Sequence, residues 1–251
     1  MTIRLSTKLR NNMVGSAGVA STFANGIIEV RTGTQPANAD AAVTGTLLGT
    51  ITLNSGAITA EVPASQTITL GGTSGSINAV FVGNMNIIPM GAVLFVTDAT
   101  QTGGALAAAI NANGIYEATS AAGVVTLVAP PGVGAAHNGL TLTTTVTTLT
   151  ATAGGAIAGG VGAVNGLTFG APSGGSLSKT GVWSCTAVAG GTAGWFRIKA
   201  ARTDADGASI VLARLDGQVA IAGADMNISN TTFVVGSPVT IDTLTITMPA
   251  A

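Results

Sequence analysis

Apolar and β-branched residues alternate with threonine and serine along this chain, in short runs closed by glycine. The pattern predicts half-buried strands joined by tight turns. The richest run is Gly194-Trp195-Phe196-Arg197-Ile198-Lys199. A polar stretch, Asp204-Ala205-Asp206-Gly207, follows it, and then a second strand-like run over 209–214. The Asp-Gly pair reads as the hairpin turn between the two, and Asp216-Gly217 as a second turn on the same logic. Trp195 and Phe196 are adjacent, so they point to opposite faces of a strand. One fills the core and the other needs a cover. That cover is either a second internal layer, such as an amino-terminal helix, or a neighbouring subunit, since buried aromatics often dominate interfaces. Trp183, Trp195, Phe196 and Arg197 are the candidate subunit-interface residues.

Toward the amino terminus, Ile3, Leu5, Leu9 and Met13 contain the spacing of one helix face, with basic residues between them. A short amphipathic helix over 3–13 is predicted, ended by Gly15 and Gly18. Strands follow at 27–30 and 46–53; Gly33-Thr34-Gln35-Pro36-Ala37 is the exit loop of the first, and Asn54-Ser55-Gly56 breaks the second. Further strands are predicted at 67–70, 78–82 and 93–96. Leu106, Ala109 and Ile110 give 103–112 a helical spacing, stopped by Asn113-Gly114. Residues 116–119 and 124–129 form a hairpin around Ala121-Ala122-Gly123. Residues 140–150 read as one long threonine-alternating strand and 154–162 as a Gly/Ala linker. Strands return at 167–169, 182–186 and 239–248, the last with an odd–even break at Asp242 that suggests a bulge.

Charge divides the chain. No Lys or Arg lies between Arg31 and Lys179, and from Glu61 to Gly160 the only carboxylates are Glu61, Asp98 and Glu117. A block of that kind reads as a separate module. The expected fold is therefore mainly β. A discontinuous β-sandwich or barrel domain, 1–58 and 164–251, carries a short amino-terminal helix; a small β-rich domain with one helix, 59–163, is inserted into it.

Composition narrows the function classes. Apolar residues make up 47% of the 251 positions, enough for a core, whereas charged residues are only 8%, against about 25% in an ordinary soluble domain. Low charge argues against disorder and favours a subunit packed into a larger assembly over a free monomer. Net charge of −1 gives no field to attract nucleic acid or anionic lipid. Mean hydropathy is +0.57, yet glycine and threonine interrupt every run before the ~18–20 apolar residues of a spanning helix. Arg4, Lys8 and Arg10 could pass for a signal-peptide n-region, but the glycine-rich residues after them form no apolar h-region. The lone Cys185 rules out an internal disulfide framework, so folding in a reducing cytoplasm is the default.

Candidate chemistry is sparse. Asp204-Ala205-Asp206-Gly207 opens like a calcium loop, but its glycine and the twelfth position, Leu215, do not fit. Gly174-Gly175-Ser176-Leu177-Ser178-Lys179-Thr180 lacks the glycine before lysine that a phosphate loop needs, and reads as a surface loop. Residues 132–137 fail the dinucleotide fingerprint at their last position, where His137 stands. His137, the only histidine, reads as a solvent-facing turn residue, and Cys185 as a core thiol. No Gly-x-Ser-x-Gly elbow frames a nucleophile. No catalytic, metal or cofactor residues are assigned.

Both ends of the chain carry a recognisable pattern. Arg4-Leu5-Ser6-Thr7-Lys8-Leu9-Arg10-Asn11, Phe23-Ala24-Asn25-Gly26-Ile27-Ile28-Glu29-Val30, Gly33-Thr34-Gln35-Pro36, Ala39-Asp40-Ala41-Ala42 and Thr44-Gly45-Thr46-Leu47-Leu48 lie in the first part. Gly166-Leu167-Thr168-Phe169-Gly170, Leu177-Ser178-Lys179-Thr180-Gly181-Val182-Trp183-Ser184, Gly191-Thr192-Ala193-Gly194-Trp195-Phe196-Arg197, Gly223-Ala224-Asp225-Met226-Asn227 and Thr247-Met248-Pro249-Ala250 lie in the second. Together they resemble a family of small tailed-bacteriophage virion structural proteins, in which the segment near Leu53-Asn54-Ser55-Gly56 passes almost directly to Gly-Leu-Thr-Phe. The block from 59 to 163 is then an insertion. The resemblance implies a non-enzymatic part of a phage particle, made in the host bacterial cytoplasm, partnered by other virion proteins and by copies of itself. A capsid decoration or cement protein is the first expectation. A tail, neck, collar or baseplate protein is the alternative, as is a host-surface adhesin whose insert recognises surface glycan; an exposed aromatic platform is the usual sign of one, and the insert offers only Phe81, Phe95 and Tyr116. A hydrolase is the remaining class.

Overall fold

A computed structural model describes residues 3–15, 17–241 and 243–247. Strand accounts for 41% of the residues and helix for 13%, so the chain is mainly β, with several antiparallel sheets. It divides into two compact units. The first comprises Met1–Asn11, Gly18–Glu61 and Ala163–Ala251, and the second Asn12–Ala17 with Val62–Gly162.

The chain opens with β1 (Arg4–Leu5), α1 (Thr7–Val14) and α2 (Val19–Phe23), then β2 (Ile27–Thr32) and β3 (Leu47–Leu53). The helix expected over 3–13 thus starts later. Arg4 and Leu5 pair instead with Asp216 and Leu215, and Ser6 caps the helix by accepting from the Leu9 N–H at 3.2 Å, satisfying one of its free amino-terminal donors. The second helix, α2, carries no apolar period long enough to be read from sequence.

In the second unit the strands are β4 (Ser65–Gly71), β5 (Ser76–Val82), β6 (Met85–Asn86), β7 (Val93–Leu94), β8 (Glu117–Ala121), β9 (Val124–Val128), β10 (Leu142–Thr147) and β11 (Thr150–Ala153), with α3 (Ala99–Asn113) between β7 and β8. One sheet runs β10-β5-β6 with β7 also on β5, and the other runs β11-β4-β9-β8. Ile68, Val80, Leu106, Ile110, Val125, Leu127 and Ile157 fill the core of this unit. The helix begins earlier than its apolar spacing suggests, because the Asp98 side chain accepts from the Gln101 N–H. It ends on Gly114 in the left-handed region at φ 78°. Ala122 and Gly123, at φ 49° and 77°, turn the β8–β9 hairpin.

Two readings of this unit need correction. Residues 140–150 are not one strand: Thr148, at φ 64°, breaks the run, so β10 pairs with β5 in one sheet and β11 with β4 in the other. Residues 154–162 are not a free linker either. Ala156 bridges Thr141, Ala158 bridges Ser65, Val161 bridges Val62, and Ile157 is fully buried.

The chain returns to the first unit with β12 (Thr168–Phe169), β13 (Ser176–Thr180), β14 (Trp183–Thr186), β15 (Gly191–Lys199), β16 (Arg214–Ala220), β17 (Met226–Asn227), β18 (Thr232–Phe233), β19 (Pro238–Ile241) and β20 (Thr245–Thr247). The main sheet has the order β1-β16-β15-β2-β3-β14-β19, with β17 beside β16 and β18 beside β15; β12-β13-β20 form a smaller sheet. Gly174 and Gly175, both at positive φ, make the turn that lets β13 form where a surface loop was expected. The strand expected over 239–248 is two, pairing with β14 and β13 respectively; the expected bulge at Asp242 lies outside the described residues.

The region after β15 departs most from expectation. Residues 209–213 are not a strand, and no tight hairpin forms at Asp206-Gly207, because β16 begins only at Arg214. Asp216-Gly217 lies inside β16, not in a turn, with Gly217 opposite Phe196. A Cβ on Gly217 would sit 2.6 Å from two carbons of the Phe196 ring. The glycine is there so that the ring can lie flat against the strand.

Candidate functional site

Antiparallel register places residues that face one another on the same side of a sheet. In the first unit Arg197 faces Glu29 on β2 and Asp216 on β16, while Lys199 faces Arg214. Trp195, Arg197 and Lys199 therefore share one face of β15 with Glu29, Arg31, Arg214 and Asp216. Phe196, Ile198, Ile28, Val30 and Leu215 share the other, and they are all buried.

The shared polar face is a buried ionic layer. Arg197 donates to Asp216 twice, at 2.7 and 2.8 Å, and to the Ala41 carbonyl at 3.1 Å. Arg31 donates to Glu29 at 3.1 and 2.8 Å and to Asp206 Oδ2 at 2.8 Å. Lys199 donates to Glu29 Oε1 at 2.5 Å and also meets Asp206 Oδ1. Arg214 donates to Asp204 at 2.6 and 2.5 Å. Four cations thus meet four carboxylates, and the layer is neutral.

Asp204 and Asp206 belong to the loop over 200–213, which the layer draws down onto the sheet. The Val43 N–H donates to the Asp206 carbonyl at 3.1 Å, and the Ser209 N–H to the Asp40 carbonyl at 2.8 Å. Asp40 in turn accepts from the backbone and hydroxyl of Thr7 at 2.8 and 2.7 Å. A cleft of about 210 Å³ opens beside the layer, lined by Ile27, Glu29, Ile58, Lys199, Thr203 and Asp204 among others.

Burial pulls the acids of the layer in different directions. It pushes the Asp216 carboxyl up, by more than the Arg197 hydrogen bonds and the nearby arginine charges pull it down. It also pushes Asp204 up, but there the Arg214 bonds, the Asp206 N–H and the charges of Arg214 and Lys199 outweigh it, and the carboxyl lies below its ordinary value.

The four candidate interface residues sit in this interior. Trp183, Trp195, Phe196 and Arg197 are 0%, 0%, 1% and 0% exposed. Trp183 donates from Nε1 to the Thr180 carbonyl at 2.9 Å and meets Phe169 edge-on at 5.1 Å. Arg197 lies over the Trp195 ring at 5.6 Å. Both faces of the Trp195-Phe196 pair are covered by this chain itself, so the four residues present no surface to a neighbour, and their assignment to a subunit contact is corrected to a core role.

The layer itself escaped the sequence reading, although a signal for it exists. Glu29-x-Arg31, Arg197-x-Lys199, Asp204-x-Asp206 and Arg214-x-Asp216 all place charges two apart, which is the spacing of one strand face. In a chain so poor in charge, that repetition marks a shared buried surface.

His137 is not a free turn residue. It ends a 3-10 helix, Gly134–His137, and its Nδ1 lies 2.8 Å from the Tyr116 hydroxyl. Burial lowers the imidazole pKa and pushes the Tyr116 phenol up to about 12. Cys185 is buried, and its thiol is pushed up to about 11. Among the described residues no group of His, Cys, Asp and Glu is arranged to hold a metal ion, and no helix is long and apolar enough to cross a membrane. No protein-family model and no curated protein matches the chain.

Proposed function

We propose that this chain is a non-enzymatic structural component of a tailed-bacteriophage particle, and specifically a capsid decoration or cement protein. One observation carries the reading: the segments that resemble the virion family, scattered over both ends of the sequence, come together in a single unit. They supply β1, most of β2, the start of β3, the first half of β14, most of β15 and all of β17 of the main sheet, with β12 and much of β13 beside it. Exposed apolar side chains of that unit support a life among neighbours. Val188, Val234 and Val235 are 63%, 59% and 65% exposed, and their two turns are joined by the Gly236 N–H donating to the Ala187 carbonyl at 2.8 Å.

The aromatics of the second unit give an adhesin less to work with. Tyr116 is fully buried and packs on His137, and Phe81 and Phe95 are half-buried, so these three make no open platform for a sugar ring. The test is to quantify this chain in purified particles by stained gel. A copy number on the scale of the capsid lattice is the expected result. A number on the scale of the tail symmetry moves the protein to the tail, neck or baseplate, and its absence from particles overturns the reading.

A further inference from the structure

One corner of the ionic layer is arranged for a reaction. The Lys199 side chain is 3% exposed, and its ammonium sits between the carboxylates of Glu29 and Asp206, whose side chains are 8% and 28% exposed. Asp206 Oδ1 is buried and lies against Lys199, without a regular hydrogen bond to any other donor. Its other oxygen, Oδ2, takes the Arg31 guanidinium at 2.8 Å. Asp206 holds φ 66°, a backbone conformation that costs a non-glycine residue energy and persists where the surroundings enforce it.

We propose that Lys199 and Asp206 become joined by an intramolecular amide bond, formed by condensation with loss of one water and assisted by Glu29 and Arg31. Each neighbour has a part in the chemistry. Glu29 Oε1, 2.5 Å from Nζ, accepts a proton from the ammonium and leaves the amine lone pair free. Fixed proximity replaces the encounter that such a reaction lacks in water. Nζ then attacks Asp206 Cγ, and the charge that develops on Oδ2 falls on the guanidinium of Arg31. Glu29 returns its proton to Oδ1, Nζ passes a second one to the same oxygen, and the C–Oδ1 bond breaks to release water. The third ammonium proton remains on the amide nitrogen, and Glu29 ends as the carboxylate it began as. No oxidant or other reactant is needed. The adjoining cleft, which Lys199 and Glu29 both line, gives the water a way out. The product fixes the loop over 200–205 to the end of β15 through a side-chain bond.

The test is the mass of the purified full-length chain under denaturing conditions. It is expected to read one water below the sequence mass, and Lys199→Arg and Asp206→Ala are each expected to restore the full mass. Glu29→Gln keeps both partners and is expected to stop or slow the loss; an undiminished loss overturns the part given to Glu29. Tryptic mapping of the wild type depends on no variant folding. Trypsin does not cut after an acylated lysine, so residues 198–202 are expected joined to 203–214. Separate peptides 200–202 and 203–214 in a chain of full mass overturn the proposal. So does a water loss that survives Lys199→Arg, which would assign it to a succinimide at Asp206-Gly207.

Discussion

Arg197 and Asp216 face each other across β15 and β16 as a two-pronged ion pair in which neither side chain has any exposure to solvent. A pair so deeply buried adds little over apolar residues of the same shape, but loss of one partner strands the other. Arg197→Met and Asp216→Asn are each expected to cost about 3–5 kcal/mol, from the ordinary penalty for an orphaned buried charge. The double variant Arg197→Met, Asp216→Asn is expected to lose less than the sum of the two. Urea unfolding of the four proteins gives the coupling, and strict additivity would mean that the pair is not a unit.

The pH dependence has a definite sign. Burial pushes Asp204 up, but Arg214 and its neighbours outweigh burial and hold the carboxyl below its ordinary value. Such a group stabilises fully above its unfolded-state pKa of about 3.9 and loses that contribution as pH falls through the lower folded value. Asp216, raised chiefly by burial, acts in the opposite sense: its contribution is complete below the unfolded value and fades as pH rises through the folded one. Asp204→Asn is therefore expected to be less stable at neutral pH and to show a shallower loss below about pH 4. Urea midpoints across pH measure it, and an unchanged acid slope would remove Asp204 from the account.

How much of this was legible before the structure depends on the range of the physics involved. Strands such as β5 and β9 announce themselves by local alternation, and α3 by its apolar spacing, because each buries one face against its own unit, whereas β2 and β3, buried on both faces, show as short β-branched and apolar runs. The failures came where a distant partner decides. Thr148 sends β10 and β11 to different sheets, which a run of threonines does not reveal. Gly217 looks like a turn glycine until Phe196 is seen lying over it. The ionic layer needs three strands and a loop in register before its charges meet, so its only trace in sequence was the two-residue spacing of each pair.

Packing at Gly49 makes a third expectation. A Cβ there would stand 2.6 Å from Cys185 Sγ, with the Phe233 ring 3.7 Å away. Gly49→Ala is expected to cost about 1–3 kcal/mol, as overpacked sites do. Combining it with Cys185→Ala should recover part of the loss by removing the sulfur it strikes. A double variant no more stable than Gly49→Ala alone would place the strain elsewhere.

The same thiol reports on the fold. Its pKa, raised to about 11 by burial, leaves almost no thiolate near neutrality, and the thiolate is the reactive form. Alkylation of Cys185 at neutral pH is expected only as fast as the first unit opens, and to become rapid in denaturant. Ready labelling of the native protein would contradict its core position.

The inserted block offers the broadest test. Thr59 and Val164 form an antiparallel bridge inside the first unit, through hydrogen bonds of 3.3 and 3.0 Å. The chain therefore leaves and re-enters that unit side by side on either flank of residues 62–162, with Glu61 and Ala163 as the flanking residues. A short Gly/Ser join from Glu61 to Ala163 then turns the crossing into a hairpin, and shortening a loop between adjacent ends lowers the entropy cost of closing it. Glu61 remains anchored by its N–H, which donates to the Ala201 carbonyl at 2.9 Å. Both tryptophans, fully buried, belong to the retained unit, so their fluorescence reads its core alone. With residues 62–162 removed, emission is expected to stay blue-shifted and unfolding to stay cooperative. A red-shifted spectrum would mean that the strands around Trp183 and Trp195 require the block to fold, and that the insertion is part of the core.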